Sequence, residues 1–320
     1  MIDAPHEATP GRAGPVLVTG GNGQIALQLF ERLALRGIPG RAVVRSERAA
    51  AQVAELPETL RPDIRVLDYR DTDALTQAAA GCRAIVHLVG ILKESAGTSY
   101  ADAHENTCTA VASAASTQAV ERVVYLSIFG SSPDLKNACL ASKGRAEEIL
   151  LKGSAPTTLL RVPMVVGPDD PASRALRAQA KKPSARLIGG GLTIQQPLDV
   201  QDLLSALVAA VEDESDASHT LDLGGPEALP HHALVRRVGK LHGNDIQVSS
   251  VPLAAVRAAA WTMNLIMKNP PITPAMLGVL QHDDKIDNSA VQNVLGIKLT
   301  PLDETLARYI GPQAKSYDSI

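Results

Sequence analysis

Aromatic residues are scarce in this chain of 320 residues, which contains five Tyr, two Phe and one Trp. A surface that binds single-stranded nucleic acid needs aromatic rings on which bases stack. The net charge is −3, so the chain also lacks the excess of Lys and Arg that attracts a phosphate backbone or an anionic membrane. The composition therefore argues against a nucleic-acid partner.

Cysteine is rarer still. Cys82, Cys108 and Cys139 are odd in number and lack the spacing of a metal site, which predicts free thiols in a reducing compartment and no metal centre. No apolar run reaches membrane-spanning length, since Arg257 and Asn264 interrupt the nearest candidate, 252–267. We expect no transmembrane segment and a cytoplasmic location, with peripheral association with the inner membrane left open.

Apolar, β-branched runs alternate with Ala-rich helical stretches up to Gly167. The runs lie at 16–18, 42–44, 64–67, 84–89, 122–126 and 157–166. This alternation predicts an α/β fold, a Rossmann-like doubly wound parallel sheet with helices on both faces. Residues 1–14 would be a disordered tail and 15–168 a dinucleotide-binding domain. Residues 169–320 would form a smaller C-terminal α+β lobe for substrate or partner, with segments near 193–223 returning to the main sheet.

The first apolar strand leads into a glycine-spaced turn and an amphipathic helix. The turn reads Thr19-Gly20-Gly21-Asn22-Gly23-Gln24-Ile25-Ala26. Gly20 allows a tight turn, Gly23 lets the backbone approach a phosphate, and Ala26 keeps the helix close to the sheet. A glycine turn alone is a weak signal, but here strand, turn, helix and second strand follow in order. The motif predicts a pyrophosphate site at the helix N-terminus.

The helix that follows this turn has apolar residues at near-helical spacing. They are Ile25, Leu29, Leu33 and Leu35, and we expect all four to be buried before the helix ends at Gly37.

The second strand ends in Arg45-Ser46, about twenty residues past the glycines, where NAD-specific sites carry an acid. The planar guanidinium of Arg45, helped by Ser46, suits the 2′-phosphate of NADP. We therefore expect NADP(H) to be preferred, with NAD(H) as the other cofactor that the site could take. A solvated arginine at a strand end is the alternative interpretation.

Two further strand ends offer cofactor contacts. Asp68, after the third strand, can accept a hydrogen bond from the adenine amino group, although a turn-forming aspartate is nearly as good an explanation. Leu88, Val89 and Gly90 end the fourth strand, where a glycine lets the backbone approach the ribose. His87 precedes them inside the apolar run, which favours a core histidine with satisfied hydrogen bonds over a metal ligand.

Several segments together resemble the atypical and extended short-chain dehydrogenases/reductases. They are Thr19–Ala26, His87–Gly90, Tyr125–Ser127, Ser142–Glu147 and Arg161–Pro163. Within that superfamily, Gln196–Asp202, Leu223–Glu227, Leu295–Ile297 and Thr300–Leu302 are similar to the nucleotide-binding accessory subunit of respiratory complex I and its bacterial relatives. The resemblance implies a bound nicotinamide dinucleotide, a respiratory or membrane-complex partner, and a contact of Pro163 with the nicotinamide.

Catalytically active members of this superfamily use a Ser or Thr, a Tyr and a Lys, with the Tyr four residues before the Lys. This spacing places both side chains on one helix face, where the ammonium can lower the pKa of the phenol. Lys143 occupies the lysine position, but Cys139 occupies the tyrosine position, and Ser127 is the serine at the fifth strand end. A thiol is shorter and a weaker hydrogen-bond donor than a phenol. Lys143 could still bind the cofactor ribose, unless it is an ordinary surface lysine.

Two classes of function remain. The chain is either a module that holds NADPH for a structural, sensing or respiratory-complex role, or an active reductase, epimerase or isomerase for a quinone-like or nucleotide-sugar substrate. In the active case Ser127 or water would supply the proton.

A further segment, 253–267, could rest on lipid or on a membrane protein. We favour a packed helix there, because the segment lacks the basic cluster of membrane anchors.

Overall fold

The computed structural model describes residues 14–95, 97–168, 170–267 and 269–314, so the predicted tail lies outside it except for Gly14. The strands are β1 Val16–Thr19, β2 Gly40–Val44, β3 Asp63–Val66, β4 Ala84–His87, β5 Arg122–Ile128, β6 Thr157–Val162, β7 Val165–Val166, β8 Ser184–Ile188, β9 Ile194–Gln195, β10 Leu198–Asp199, β11 His219–Asp222, β12 Leu229–Pro230 and β13 Gln247–Val251.

The α-helices cover both faces of the sheet and most of the C-terminal part. They are α1 Gln24–Leu35, α2 Glu47–Ala54, α3 Thr72–Ala79, α4 Thr107–Thr117, α5 Ala138–Leu151, α6 Pro171–Ala180, α7 Val200–Glu212, α8 His231–Leu241, α9 Leu253–Ile266, α10 Pro274–Leu280, α11 Ser289–Leu295 and α12 Leu302–Tyr309. A π-helical turn, Ala101–Asn106, leads into α4, and short 3₁₀ turns lie at Glu58–Leu60 and Gly189–Gly191.

Seven parallel strands form the main sheet, in the order β11-β6-β5-β4-β1-β2-β3. The strand order reverses between β1 and β4, because the chain crosses from one side of β1 to the other after β3. Parallel strands all present their carboxyl ends at one edge, and ligands of such sheets bind at this reversal. The α/β, Rossmann-like prediction is confirmed.

Helices cover both faces of this sheet, as the apolar strands require. On one face α1, α2 and α7 pack over β1, β2 and β4, while α3, α4 and α5 cover the other. Leu29 and Leu33 of α1 are fully buried and Ile25 is partly buried. The expectation for Leu35 is wrong. It is 80% exposed because α1 ends there, beyond the edge of its neighbours.

The second half of the chain contributes to the main sheet and also forms smaller units. β11 pairs with β6 and α7 packs beside α1, so residues after 193 join the first layer and the main sheet. Shorter pairs, β7 with β10, β9 with β12 and β8 with β13, lie outside the main sheet. The domain boundary near 168 stays a prediction.

The helix α9 departs from expectation. Ala260 is its fully buried residue and Leu253, Val256 and Met263 are half-buried, so the helix packs on one side, as preferred, but leaves the other side more exposed than expected. Little of the described chain covers the outer side of this helix. None of the helices in the described part of the chain has the length and apolar content that spanning a bilayer requires.

Candidate functional site

The glycine turn lies at the carboxyl end of β1, beside the point where the strand order reverses. Gly20 has φ of +73°, a conformation that favours glycine, and its carbonyl accepts a hydrogen bond of 2.9 Å from the N–H of Gly23. The N–H of Gly21 donates to the Val43 carbonyl at 3.1 Å, which ties the turn to β2. This fixes the backbone ahead of α1.

The N-terminus of α1 is open to an anion. Its N-cap, Gly23, has no side chain to bond the first helical N–H groups, and the first turn contains no acidic residue. Gly23 and Gln24 are exposed and Ile25 is half-buried. Free N–H groups with the positive end of the helix dipole fit a pyrophosphate, so the residues present suit a dinucleotide.

Thr19 lies just before this turn, but its side chain points into the protein. Its hydroxyl lies 2.6 Å from Nδ1 of His87, whose Nε2 lies 3.2 Å from the Thr107 hydroxyl. Burial lowers the pKa of His87 to about 3, which keeps the ring neutral. The interpretation of His87 as a satisfied core histidine is confirmed, and Thr19 can meet a ligand only through its backbone.

Arg45 stands free at the end of β2. The guanidinium lies 5.6 Å from the ring centroid of Tyr69 and makes no hydrogen bond or ion pair within the described residues. Ser46 is the N-cap of α2 and accepts a 3.2 Å hydrogen bond from the N–H of Ala49. The position therefore presents two exposed cations, Arg45 and Arg48, at the start of a helix, an arrangement suited to a phosphate group.

Asp68 is exposed at the end of β3 and is already paired. Hydrogen bonds from Arg70, the closest at 2.8 Å, lower the pKa of this carboxyl to about 2. An adenine amino group would therefore have to share the carboxylate with Arg70.

The segment Leu88–Gly90 crosses directly over Lys143. A Cβ at residue 90 would lie 2.8 Å from Nζ of Lys143, so a larger residue there would displace the end of the lysine side chain. Below it, His104 accepts a 3.1 Å hydrogen bond from the N–H of Ile91, which holds the loop after β4 in place. Burial lowers the pKa of His104 to about 3, so the ring is a neutral acceptor.

Lys143 is 4% exposed, and its ammonium points at backbone rather than at solvent. Nζ donates to the carbonyl of Leu126 at 3.1 Å and to that of Val89 at 3.5 Å, and lies 4.4 Å from the ring centroid of Tyr125. Burial lowers its pKa to about 8. The lysine thus joins the ends of β4 and β5 beneath the segment predicted to carry the cofactor ribose.

The residues at the serine and tyrosine positions of the family, Ser127 and Cys139, are turned inward. The Cys139 thiol donates to the carbonyl of Ile91 at 3.5 Å, and burial raises its pKa to about 11, so it is a neutral thiol. Ser127 is buried, and its hydroxyl donates to Glu147 at 2.5 Å. Both side chains lie near the carboxyl edge of the sheet but are buried, Ser127 at 2% and Cys139 at 0% exposed.

A buried ionic cluster escaped the sequence reasoning. Glu147, 2% exposed, accepts hydrogen bonds from Ser127 and from Nε of Arg161, the latter at 3.1 Å to each carboxylate oxygen. Asp222 is paired in register with Arg161, and burial raises the pKa of its carboxyl. One signal was available, because Glu147 lies four residues after Lys143 and so on the same face of α5.

A cleft of about 620 Å³ opens beside the start of α5. Its walls come from the loop after β4, the N-terminus of α5 and the α9–α10 region. The lining residues are Glu94, Ser95, Tyr100, Lys136, Asn137, Ala138, Asn264, Met267, Pro270, Thr273, Pro274 and Ala275. Asn137 fastens α10 to this wall through a 2.9 Å hydrogen bond to the Ala275 carbonyl. The cleft was not foreseen, because its walls are far apart in the sequence.

Pro163 follows β6 at the same edge of the sheet and is half-buried. The next residue, Met164, accepts a hydrogen bond from the N–H of Leu198 at 2.9 Å, so this segment is held against β10. Its contact with a nicotinamide stays a prediction. Among the described residues, no three His, Cys, Asp or Glu side chains are grouped so that they could hold a metal ion.

A family model described as NAD(P)H-binding matches residues 20–191, more than half of the chain, from the glycine turn onward. The chain belongs to this NAD(P)H-binding family. Among curated proteins it is 29% identical over 264 residues to the "NADH dehydrogenase [ubiquinone] 1 alpha subcomplex subunit 9, mitochondrial" of Arabidopsis thaliana, covering 79% of this chain and 64% of that protein. The chain thus spans less than two thirds of that relative's length.

Two other curated relatives differ in their named activities. The chain is 28% identical to "4-hydroxy-2-methyl-3-oxo-4-farnesyl-3,4-dihydroquinoline-1-oxide ketoreductase" of Stigmatella aurantiaca, over 76% of this chain and 78% of that one. It is 22% identical to the "NADH-ubiquinone oxidoreductase 40 kDa subunit, mitochondrial" of Neurospora crassa, over 85% and 72%. The NAD(P)H-binding protein is therefore an atypical short-chain dehydrogenase/reductase related to a complex I subunit, as the sequence motifs indicated.

Solved structures share the fold. MoeE5 in complex with UDP-glucose and NAD superposes with a TM-score of 0.69 at 21% identity, covering 93% of this chain and 97% of that one. UDP-glucuronic acid 4-epimerase from Bacillus cereus, in complex with UDP-glucuronic acid and NAD, has a TM-score of 0.70 at 16% identity, covering 92% and 98%. At these identities the likeness establishes the Rossmann-like architecture alone.

Proposed function

We propose that this NAD(P)H-binding protein holds NADPH in a site that lacks the active-site tyrosine, and that the bound nucleotide serves a structural, sensing or respiratory-complex-associated role. The observation that carries this proposal is the combination of a free Arg45 at the end of β2 with a buried, neutral Cys139 on α5. The first suits a 2′-phosphate, and the second removes the usual proton donor.

The cofactor would lie along the carboxyl edge of the sheet. Gly20 and Gly23, with Gln24 and Ile25 at the start of α1, would receive the pyrophosphate through backbone N–H groups. Arg45 would pair with the 2′-phosphate. The remaining proposed contacts come from the other strand ends and are Thr19 through its backbone, Ser46, Asp68, Leu88, Val89, Gly90, Lys143 beneath the ribose, and Pro163.

Arg45 decides which nucleotide binds. By calorimetry we expect the protein to bind NADPH at least about tenfold more tightly than NADH, which corresponds to a difference of about 1.4 kcal/mol. Arg45→Asp places a carboxylate where the phosphate would lie and should abolish this preference. Arg36→Ala, which removes an exposed arginine at the opposite end of α1, is the matched control and should change neither affinity.

Equal affinity of the unmodified protein for NADPH and NADH would contradict the role of Arg45. Failure to bind any of NADPH, NADP, NADH and NAD would overturn the cofactor site itself. A third readout is the absorbance of the nicotinamide in the NADPH complex. When quinones or sugar nucleotides are added, we expect this absorbance to decline no faster than it does in buffer alone.

A respiratory partner is supported by relatives named as subunits of NADH dehydrogenase and NADH-ubiquinone oxidoreductase. We infer that the protein acts in the cytoplasm at the periphery of the inner membrane, in association with such a complex. The direct test is whether the protein co-purifies with components of a respiratory complex and is released from them by mild salt washing.

The second candidate is an active reductase, epimerase or isomerase acting on a quinone-like or nucleotide-sugar substrate. The 620 Å³ cleft beside α5 favours it, since a protein that only stores nucleotide has no need of a second cavity there. A bound nicotinamide supplies electrons to a substrate or accepts them. This chain's residues would line the cleft and position the substrate, and water would supply the proton, because Ser127 is bonded to Glu147. Clear NADPH oxidation would establish this candidate in place of the first.

A further inference from the structure

The outer side of α9 is apolar and exposed. Trp261 is 62% exposed, Leu265 66% and Ile266 77%, all within the last six residues of the helix. Large apolar side chains occur singly on most protein surfaces, but three neighbours on one helix form a patch. On the inner side Ala260 is buried and Leu253, Val256 and Met263 are half-buried.

The exposed part of α9 contains one charged residue, Arg257, at its edge. At 100° per residue, the outward side comprises Ala254, Ala255, Ala258, Ala259, Trp261, Thr262, Leu265 and Ile266. Arg257 and Asn264 lie at the edge of this side, where each lines a neighbouring cleft. A helix in contact only with water usually carries its charged residues on this side. We call this surface the α9 face.

The α9 face continues to the mouth of the 620 Å³ cleft. Met267, 46% exposed, follows the helix and lines that cleft. Leu92 is 48% exposed, and its neighbour Lys93 is bonded through Nζ to Asn269 at 2.6 Å and to the Pro270 carbonyl at 3.0 Å. These contacts keep the loop after β4 beside the end of α9, so the loop and the helix border the same opening.

Two observations decide what covers this face. The exposed large side chains offer on the order of 500 Å² of apolar surface, below the roughly 800 Å² per partner of a stable protein interface, which argues against a second copy of the chain. The face has a single charge at its edge, Arg257, which lines a small cleft together with Trp261, and the chain's net charge is −3, so neither a densely charged protein surface nor a strongly anionic lipid surface complements it. Uncharged hydrocarbon complements a face of this composition.

We propose that the α9 face inserts into the interfacial layer of an uncharged lipid bilayer and holds the mouth of the cleft against it. The side chains of Trp261, Leu265 and Ile266 enter the headgroup and acyl boundary, as in helices that lie in the membrane plane. A compound with a hydrocarbon tail could then pass between bilayer and cleft. The docking itself does not depend on the cofactor or on turnover.

The full chain is tested by flotation with phosphatidylcholine vesicles. Trp261 is the single tryptophan, so its emission reports insertion without a label. We expect co-flotation and a blue shift of several nanometres. The double variant Leu265→Asp with Ile266→Asp keeps the reporter and should lose at least about tenfold in binding. Leu35→Asp, which alters an 80% exposed leucine at the end of α1, is the matched control and should bind as the unmodified protein does.

Each contrary result overturns the proposal in a distinct way. Absence of flotation with the unmodified protein excludes lipid as the occupant. Undiminished binding of the double variant moves the docking surface elsewhere. A requirement for anionic lipid, or loss of binding in high salt, assigns the attraction to charge. A dimer detected by light scattering and abolished by the double variant, without flotation, assigns the face to a second copy.

Discussion

At the scale of single residues, Lys143 shows how burial changes the chemistry of a side chain. Its place on α5 is that of the family lysine, yet its ammonium is bonded to the carbonyls of Leu126 and Val89. Removing a cation from water disfavours its charged form, and the two carbonyls compensate for only part of that cost. The lysine therefore supports the loop beneath the cofactor site at the expense of stability near neutral pH.

This cost should appear in the pH dependence of unfolding. The pKa of Lys143 is lowered from 10.5 to about 8 in the folded protein. Below pH 8 both states are protonated and the folded state bears the full penalty. Between about pH 8 and 10.5 the folded lysine releases its proton first, so the penalty diminishes as pH rises. Relative to Lys143→Met, the unmodified protein should gain roughly 2 kcal/mol between pH 7.5 and 10 in urea unfolding.

Lys152→Met is the control, because Lys152 lies 76% exposed at the end of the same helix. Its difference from the unmodified protein should not vary over this range. A difference for Lys143→Met that is constant with pH would mean that the ammonium is solvated.

The residue positions of the site could be inferred from the sequence, but the directions of their side chains could not. The distance from Cys139 to Lys143 follows from helical spacing alone. That Ser127 turns to Glu147, and that Gly90 lies against Lys143, depends on contacts between separate elements. No local pattern specifies such contacts, and this is why Ser127 was expected to serve as a proton source.

At the scale of elements, Asp199 at the N-terminus of α7 has two structural roles. Asp199 caps the helix by accepting a 2.8 Å hydrogen bond from the N–H of Gln201, as its place before an apolar run suggested. The same carboxylate accepts hydrogen bonds from Thr305 at 2.8 Å, Arg308 at 3.2 Å and Tyr309 at 3.4 Å. It therefore fastens α12 to the main domain, which its local sequence did not reveal.

Asp199→Ala should consequently cost more than a helix cap. We expect a loss of about 3 kcal/mol of unfolding free energy, because the change removes the cap and leaves Arg308 without its buried partner. Asp71→Ala is the matched control. Asp71 caps α3 through a hydrogen bond to the N–H of Ala74 on the surface, and its loss should cost about 1 kcal/mol. Equal losses in chemical denaturation would show that α12 is held by other contacts.

The contrast between α7 and α9 explains where element-level prediction fails. Both segments are apolar and Ala-rich, and both predict helices, which the structure contains. Their burial differs because α7 lies against the sheet and α9 lies beyond it. The lack of a basic cluster in α9 argued against a membrane anchor in the sequence. The absence of such a cluster does not reveal whether another part of the chain is available to cover the helix.

At the scale of the whole molecule, the described chain combines a tightly buried sheet domain with a loosely packed C-terminal part. Helix α7 buries nine residues, among them Leu203 and Leu207, whereas α9 buries Ala260. Local opening is easiest where few apolar contacts are lost. We place the cofactor edge in the rigid part and the lipid-facing helix in the part that opens most readily.

Amide hydrogen exchange should therefore divide the molecule in two, with amides of α9 exchanging at least roughly a hundredfold faster than those of α7. Addition of NADPH should then slow exchange at the glycine turn, 20–25, and at the strand ends, 45–46 and 88–90, while leaving α9 unchanged, because a ligand stabilises the segments that it contacts. Protection of α9 by NADPH, with none at the glycine turn, would move the nucleotide out of the sheet edge and into the cleft. Protection of both would mean that the loop after β4, which is bonded to Asn269 through Lys93, transmits the presence of nucleotide to the lipid-facing helix.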